Sequence, residues 1–353
     1  MAKEHKNVCL VTTVYSFFLY LLIKGYNKED IFIFTAWFPK EVSKNIKHIQ
    51  MPPVAFRDGA KMYSTDTKKG IYKNILGYIR YFYGYIKLRI LIFIKTFNKD
   101  VTIYGHAFTP FSFMFYENEN IYLIEDGLMN YRKDICETHK INSIIDKLLH
   151  LCGIYFLNAN EALGSHKNVK KIYLTNEFDH PLIKDKVEVI NITELWNKIS
   201  ENKQEEILNL FNIKPNNFSF NDKTVLILTQ QFDDNTMSLN DELNIYKGFI
   251  DKFKGYSIII KPHPRDKKNY NEIFPNIKTI DRYFPIELLD LIGIKPKIVC
   301  TILSTAALNF QDSKIYIYEG KIKNEFINNA RNNLFELIEK QNKSNLFINR
   351  KNN

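Results

Sequence analysis

A histidine held between two prolines, with a cation two residues to either side, is a group arranged to meet an anion. The run Ile258-Ile259-Ile260-Lys261-Pro262-His263-Pro264-Arg265 has this form. Each proline fixes φ near about −65° and biases the residue before it towards extended backbone, so His263 is fixed where the β-branched run ends. In open α/β sheets that carboxyl edge is where ligands bind. An imidazole there, flanked by Lys261 and Arg265, suits an anionic ligand that must receive a proton. A structural turn whose histidine caps a neighbouring loop would use the same residues.

Other strand ends offer acids and small hydroxyls. Ile121-Tyr122-Leu123-Ile124 ends in Glu125-Asp126-Gly127, where Gly127 permits tight geometry and a carboxylate can take a proton from an acceptor hydroxyl. Tyr104-Gly105-His106 ends another strand on the same edge; His106 either lines the acceptor side or is a hydrogen-bonded structural residue. Leu226-Ile227-Leu228-Thr229-Gln230 leads through Asp233 and Asp234 to Asp241 and Glu242, acids that a helix start favours for dipole reasons alone. Leu303-Ser304-Thr305-Ala306-Ala307 opens a helix after a strand, giving N–H groups and hydroxyls for a phosphate, or an ordinary cap. In Phe284-Pro285-Ile286-Glu287, the proline suits a helix start and Glu287 can accept from ribose hydroxyls. The glycine-rich dinucleotide fingerprint, the P-loop, HExxH, GxSxG, CxxC and a spaced DxD are missing, so hydride transfer, P-loop hydrolysis and zinc chemistry lack support.

The elements that carry these residues alternate between strand and helix. Asn7–Thr12, Asp30–Phe34, Asp100–Tyr104 and Ile121–Ile124 read as strands, with a helix over Ser16–Ile23. Thr224–Leu228, Ser257–Ile260, Ile298–Thr301 and Lys314–Tyr318 repeat the rhythm, with a helix from Leu239 to Phe253. This predicts an α/β chain of two Rossmann-like domains facing each other across a cleft. The expected domains are 1–180 and 223–353, joined by a linker region over 181–222.

At 353 residues, 45% hydrophobic and 25% charged, the chain has the profile of a folded soluble protein with room for two cores. Its net charge of +10 points to an anionic partner: nucleic acid, a membrane surface or an acidic substrate. Cys9, Cys136, Cys152 and Cys300 are scattered and read as reduced residues of a cytosolic protein, and the start shows no signal peptide. Between Lys73 and Phe97, aromatics alternate with cations, the pattern of a helix at a lipid interface or of a core helix with snorkelling cations. A basic nucleic-acid- or lipid-binding protein using this segment is the reading from a different class; it leaves the clamped His263 unexplained.

Together these motifs resemble the bacterial lipooligosaccharide sialyltransferases, glycosyltransferase family 52. The matching pieces run from Asn7-Val8-Cys9-Leu10-Val11-Thr12-Thr13 through Leu123-Ile124-Glu125-Asp126-Gly127 and Lys171–Thr175 to Leu228-Thr229-Gln230, Ile260–Arg265, Phe284–Leu289 and Ser304–Ala307. The resemblance implies the GT-B arrangement and inverting, metal-independent transfer from CMP-sialic acid to a terminal galactose of a lipooligosaccharide or capsule-like glycan. It implies no cofactor or metal beyond that donor substrate. His263 is then the acid on the leaving phosphate, with Lys261, Pro262, Glu287, Ser304 and Thr305 around the nucleotide. Asp241 and Asp126 are the two candidate bases, Asp241 favoured because it shares a domain with His263. Glu125, Gly127, His106 and Gln230 support the cleft or the acceptor. Some family members resemble hexosyltransferases using another nucleotide sugar, which is the alternative within the class. Expected partners are the donor, a galactose-terminated glycan or glycolipid, a peripheral membrane contact and a second copy as a homodimer; nucleic acid is not among them. The expected location is the bacterial cytoplasm, at the inner face of the inner membrane.

Overall fold

The computed structural model describes residues 3–51, 68–106, 112–131, 161–213, 223–232, 236–310 and 312–339, a few single positions excepted. The chain divides into two compact units, Met1–Asn212 and Ile213–Asn353. Each contains one parallel sheet flanked by helices, as the alternating pattern predicts.

The first sheet has seven strands: β1 (His5–Val11), β2 (Ile31–Phe34), β3 (His48–Gln50), β4 (Asp100–Gly105), β5 (Ile121–Ile124), β6 (Val169–Leu174) and β7 (Val187–Val189). Their order is β3-β2-β1-β4-β5-β6-β7, every pair parallel. Parallel sheets are covered on both faces, and all four residues of β2 are buried accordingly. Phe32 and Phe34 turn to α1 (Val14–Lys24), where Phe17 meets both rings edge-on at 5.8 and 5.6 Å. Such pairs contribute about 0.5–1.5 kcal/mol each beyond burial. Ile31 and Ile33 turn the other way, into a cluster with Val8, Leu10, Tyr85 and Leu88, the last two from α2 (Lys68–Thr96). The opposite side of α2 is exposed at Phe82, Ile86, Ile90 and Phe93.

Of the stretch read as a linker, residues 181–212 carry regular structure of the first unit. β7 extends its sheet, and α3 (Ile192–Lys198) and α4 (Glu201–Leu210) follow, with Phe211 edge-on to Phe17 at 5.8 Å. A three-residue edge strand has too short a pattern to stand out against turns, which is why composition alone suggests a linker there.

The second sheet has five strands, β8 (Thr224–Leu228), β9 (Ser257–Lys261), β10 (Lys278–Thr279), β11 (Ile298–Thr301) and β12 (Lys314–Ile317), in the order β10-β9-β8-β11-β12, all parallel. Val225, Ile227, Ile258 and Ile260 pack with Tyr246 and Phe249 of α5 (Leu239–Lys252). In both sheets the strand order reverses direction once, between β1 and β4 and between β8 and β11. The carboxyl edge at such a reversal opens a crevice between diverging loops, the usual ligand position in open α/β sheets.

Candidate active site

In the second unit, β9 delivers His263 to the carboxyl edge, one strand from the reversal. Its backbone N–H donates to Thr229 Oγ1 at 3.1 Å, and Thr229 leaves the end of β8 beside it. The Arg265 N–H donates to Nδ1 at 3.2 Å, which assigns the proton of the neutral ring to Nε2. Burial, reinforced by the charges of Lys261 and Arg265 and opposed by Asp266, pushes the imidazole down to about 4. Without ligand the ring is neutral at pH 7, a hydrogen-bond donor whose protonation an incoming anion would favour.

Lys261, expected beside the nucleotide, has backbone partners of its own. Its side chain is buried, and Nζ donates to the carbonyls of Pro262 (2.8 Å) and Arg282 (2.9 Å). Burial lowers its pKa to about 8 against the opposing charges of Glu287 and Asp281. This ammonium ties the His263 loop to the end of β10, whereas the exposed side chain of Arg265 is the cation open to a ligand. Glu287 opens a short helix, Glu287–Leu291, and its Oε1 accepts from Asn309 Nδ2 at 3.1 Å. Ser304 is buried and its N–H donates to Thr301 Oγ1 at 2.9 Å. The expected helix after it is a single 3₁₀ stretch, Thr305–Asn309, because Phe310 and the next strand follow within a few residues. Its aligned dipole is correspondingly smaller.

Gln230 is half-buried and its N–H donates to the Tyr246 hydroxyl at 2.9 Å. Asp241 is exposed in the first turn of α5, where Ser238 caps the helix: Ser238 Oγ accepts the Asp241 N–H (3.2 Å) and donates to Asp241 Oδ2 (2.7 Å). The neighbouring Glu242 is buried, with Oε2 3.1 Å from Lys268 Nζ.

In the first unit, the ends of β1, β4, β5 and β6 converge on one cluster. Asp126 Oδ1 accepts from both threonine hydroxyls that close β1, Thr12 and Thr13 (2.6 Å for Thr13), and the Asp126 N–H donates to Asn130 Oδ1 at 2.9 Å. Thr13 is also the N-cap of α1 in a capping box with Ser16, so the carboxylate sits at that helix start. His106, buried at the end of β4, has its pKa lowered by burial, against the Asp126 charge and a hydrogen bond to Asn130. Glu125 is buried and structural in its bonding: Oε2 accepts from the Tyr131 hydroxyl (2.7 Å), the Thr175 N–H (2.6 Å) and the Thr175 hydroxyl (2.7 Å). Burial and the Glu125 charge push Tyr131 up to about 12. Gly127 turns the chain at φ 129°, in the region that favours glycine. Gly105 is needed for another reason: a Cβ there would lie 2.5 Å from the Leu10 carbonyl oxygen, so only glycine lets β4 meet β1 at the reversal.

Two groups of residues escape the sequence reading. Thr12 and Thr13 hold Asp126 from more than a hundred positions away. Asp266, 1% exposed, directly follows Arg265 and accepts from the Thr229 hydroxyl (3.0 Å) and the Tyr270 hydroxyl (2.7 Å). An acid adjoining the clamped histidine was the available signal. Among the described residues, no three His, Cys, Asp or Glu side chains converge in a way that could hold a metal ion.

A family model described as glycosyltransferase family 52 matches residues 72–325. The chain belongs to glycosyltransferase family 52. It is 31% identical over 323 residues to an uncharacterised protein of Haemophilus influenzae, covering 90% of this chain and 95% of that one. The family 52 chain also shares its fold with solved sialyltransferases. The α/β-galactoside α-2,3-sialyltransferase of Photobacterium phosphoreum matches with a TM-score of 0.55 at 12% identity, over 94% of this chain and 96% of that one. The GT-B domain of the Photobacterium damselae sialyltransferase gives 0.53 at 14% identity, over 94% and 96%. The 2,6-sialyltransferase of Photobacterium sp. JT-ISH-224, solved with CMP and lactose, gives 0.57 at 14% identity, over 96% of this chain and 76% of that one. At these identities the likeness is one of fold, and it agrees with the expected GT-B class.

Proposed function

We propose that this family 52 glycosyltransferase moves sialic acid from CMP-sialic acid to a terminal galactose of a bacterial surface glycan, with inversion and without a metal ion. The observation that carries the reading is His263, an Nε2–H donor fixed at the carboxyl edge of β9 next to an exposed cationic side chain. A cytidine monophosphate leaving group gains negative charge on its phosphate as the glycosidic bond breaks. That charge favours imidazolium, so His263 takes up a proton from solvent when the donor binds and donates it to the departing phosphate oxygen. Asp241 is assigned as the base that takes the acceptor hydroxyl's proton. Support comes from its exposed carboxylate, which has one hydroxyl donor on Oδ2, and from its place in the same unit as His263. Asp126, with two hydroxyls already on Oδ1, is assigned to positioning the acceptor side.

The acceptor is assigned to the inner face of the bacterial inner membrane. What supports this is α2, whose sequence carries seven Lys and Arg residues and no acid. Phe82, Ile86, Ile90, Phe93 and Phe97, spaced three or four apart, form an exposed apolar row 40–65% accessible on the side away from the core. An apolar row among cations matches an anionic bilayer surface. Among the described residues no helix is long and apolar enough to cross a membrane.

The test is release of CMP from CMP-sialic acid by the purified protein with a galactoside and EDTA. Acceptor-dependent release with EDTA present is expected. Release that requires a divalent metal, or turnover only with another nucleotide sugar, overturns this version in favour of a metal-dependent enzyme or a hexosyltransferase.

A further inference from the structure

We propose that the largely buried chain Glu242–Lys268–Asp266–Thr229 is a positioning relay that fixes the His263 loop relative to the helix start bearing Asp241. It rests on the acid and base roles assigned above. From the helix side, Glu242 Oε2 meets Lys268 Nζ at 3.1 Å; the same ammonium meets Asp266 Oδ1 at 3.0 Å. Asp266 Oδ1 also accepts the Lys268 N–H at 3.0 Å, while Oδ2 accepts the Thr229 hydroxyl at 3.0 Å. Thr229 Oγ1 in turn accepts the His263 N–H at 3.1 Å, and the Asp266 N–H closes the loop on the His263 carbonyl at 2.9 Å. Apart from that last backbone bond, every link is side chain to side chain or side chain to loop backbone, across three separate stretches of sequence. Glu242, Asp266 and Thr229 are at most 2% exposed.

Stability does not account for this arrangement. A buried ionic chain is often matched or exceeded in stability by well-packed apolar residues of similar volume. What it adds is fixed distance and direction: the carboxylate of Asp266 is held by four donors, so Thr229 has one orientation and His263 one backbone position. A catalytic group displaced by about 1 Å loses on the order of 10²-fold in rate, which gives such a relay its value.

The experiment uses the full-length protein and the variants Thr229→Val, Thr229→Ser, Lys268→Met and Glu242→Gln. The first readout needs no substrate. The ¹⁵N imidazole spectrum of His263, assigned by its loss in His263→Gln, reports the ring tautomer. The Nε2–H form is expected in the wild type and in Thr229→Ser. A mixture of tautomers or a broadened signal is expected in Thr229→Val, with circular dichroism and CMP binding retained. The second readout is turnover. Thr229→Val and Glu242→Gln should each lower kcat about tenfold with donor KM within about threefold, and Thr229→Ser should restore most of it. Their double variant should depart from the product of the single effects by at least about threefold, and this coupling should vanish in the Lys268→Met background. An unchanged tautomer in Thr229→Val, equal loss in Thr229→Ser, or additive single effects overturns the relay. If Thr229→Val does not fold, the isosteric Glu242→Gln spectrum decides in its place. If the wild type transfers nothing from CMP-sialic acid, the assigned reaction falls, while the tautomer readout still decides the relay.

Discussion

Binding of CMP alone should raise the pKa of His263. In the free protein the ring is lowered from an ordinary value of 6.5 to about 4, chiefly by burial and then by Lys261 and Arg265. That difference disfavours imidazolium by about 3 kcal/mol. A phosphate charge about 4 Å away in a partly hydrated site attracts it by about 4 kcal/mol, enough to cancel the penalty. The expected result of an imidazole NMR titration is therefore a pKa near 4 without ligand, rising to about 6 or above in saturating CMP. The same shift has a stability consequence with a definite sign. Because the folded pKa lies below the unfolded one, the unfolded chain takes up the proton first as pH falls. The associated stability is present above pH 6.5 and is lost as pH falls towards 4, by about 2 kcal/mol at pH 5. Denaturant unfolding of wild type and His263→Gln at pH 7 and pH 5 measures it, since the variant lacks this component. A free-protein pKa near 6.5 would show that the ring is hydrated and the burial argument mistaken. A low pKa that CMP leaves unchanged would show that the phosphate does not reach it.

Replacing His263 with alanine should lower turnover about 10²-fold or more while sparing CMP binding, measured by steady-state kinetics and calorimetry; near-normal turnover removes it from the acid role. Asp241→Asn should lose acceptor-dependent turnover about 10²-fold with slow donor hydrolysis persisting, whereas Asp126→Asn should mainly raise acceptor KM. The opposite pattern reassigns the base to Asp126. Gly105→Ala should cost more than about 2 kcal/mol in denaturant unfolding, because the added Cβ meets the Leu10 carbonyl oxygen at 2.5 Å and β1 cannot yield; wild-type stability would refute the close-approach argument. Phe93→Asp should abolish flotation with vesicles containing phosphatidylglycerol while leaving turnover on a soluble galactoside unchanged; undiminished flotation excludes the exposed row of α2 as the contact.

The sequence by itself determined the class of fold and the chemical type of one group at the candidate site. Runs such as Thr224–Leu228 and Ile258–Ile260 are short, rich in β-branched residues and apolar without alternation, the pattern of strands covered on both faces. The Pro-His-Pro run carries its geometry in its own covalent constraints, so a strand end with a clamped imidazole was legible locally, as was the helix start over Ser238–Asp241. Strand order was not legible, because neighbours such as β1 and β4 are some ninety residues apart and pair through backbone groups that every residue shares. The edge strands His48–Gln50, Val187–Val189 and Lys278–Thr279 are too short to carry a period. Tertiary structure also gives Lys261 partners that its sequence does not show. Its charge suggests a phosphate ligand, yet burial leaves it the carbonyls of Pro262 and Arg282 as partners, and the second of these comes from a loop twenty-one residues away. Glu125 and Asp126 are adjacent and chemically alike, and only the fold separates them. One is buried against the hydroxyls and amide at the end of β6, and the other is half-exposed at the threonines that end β1. A side chain's type is written in the sequence, but its partners are set by which distant backbones the sheet brings alongside.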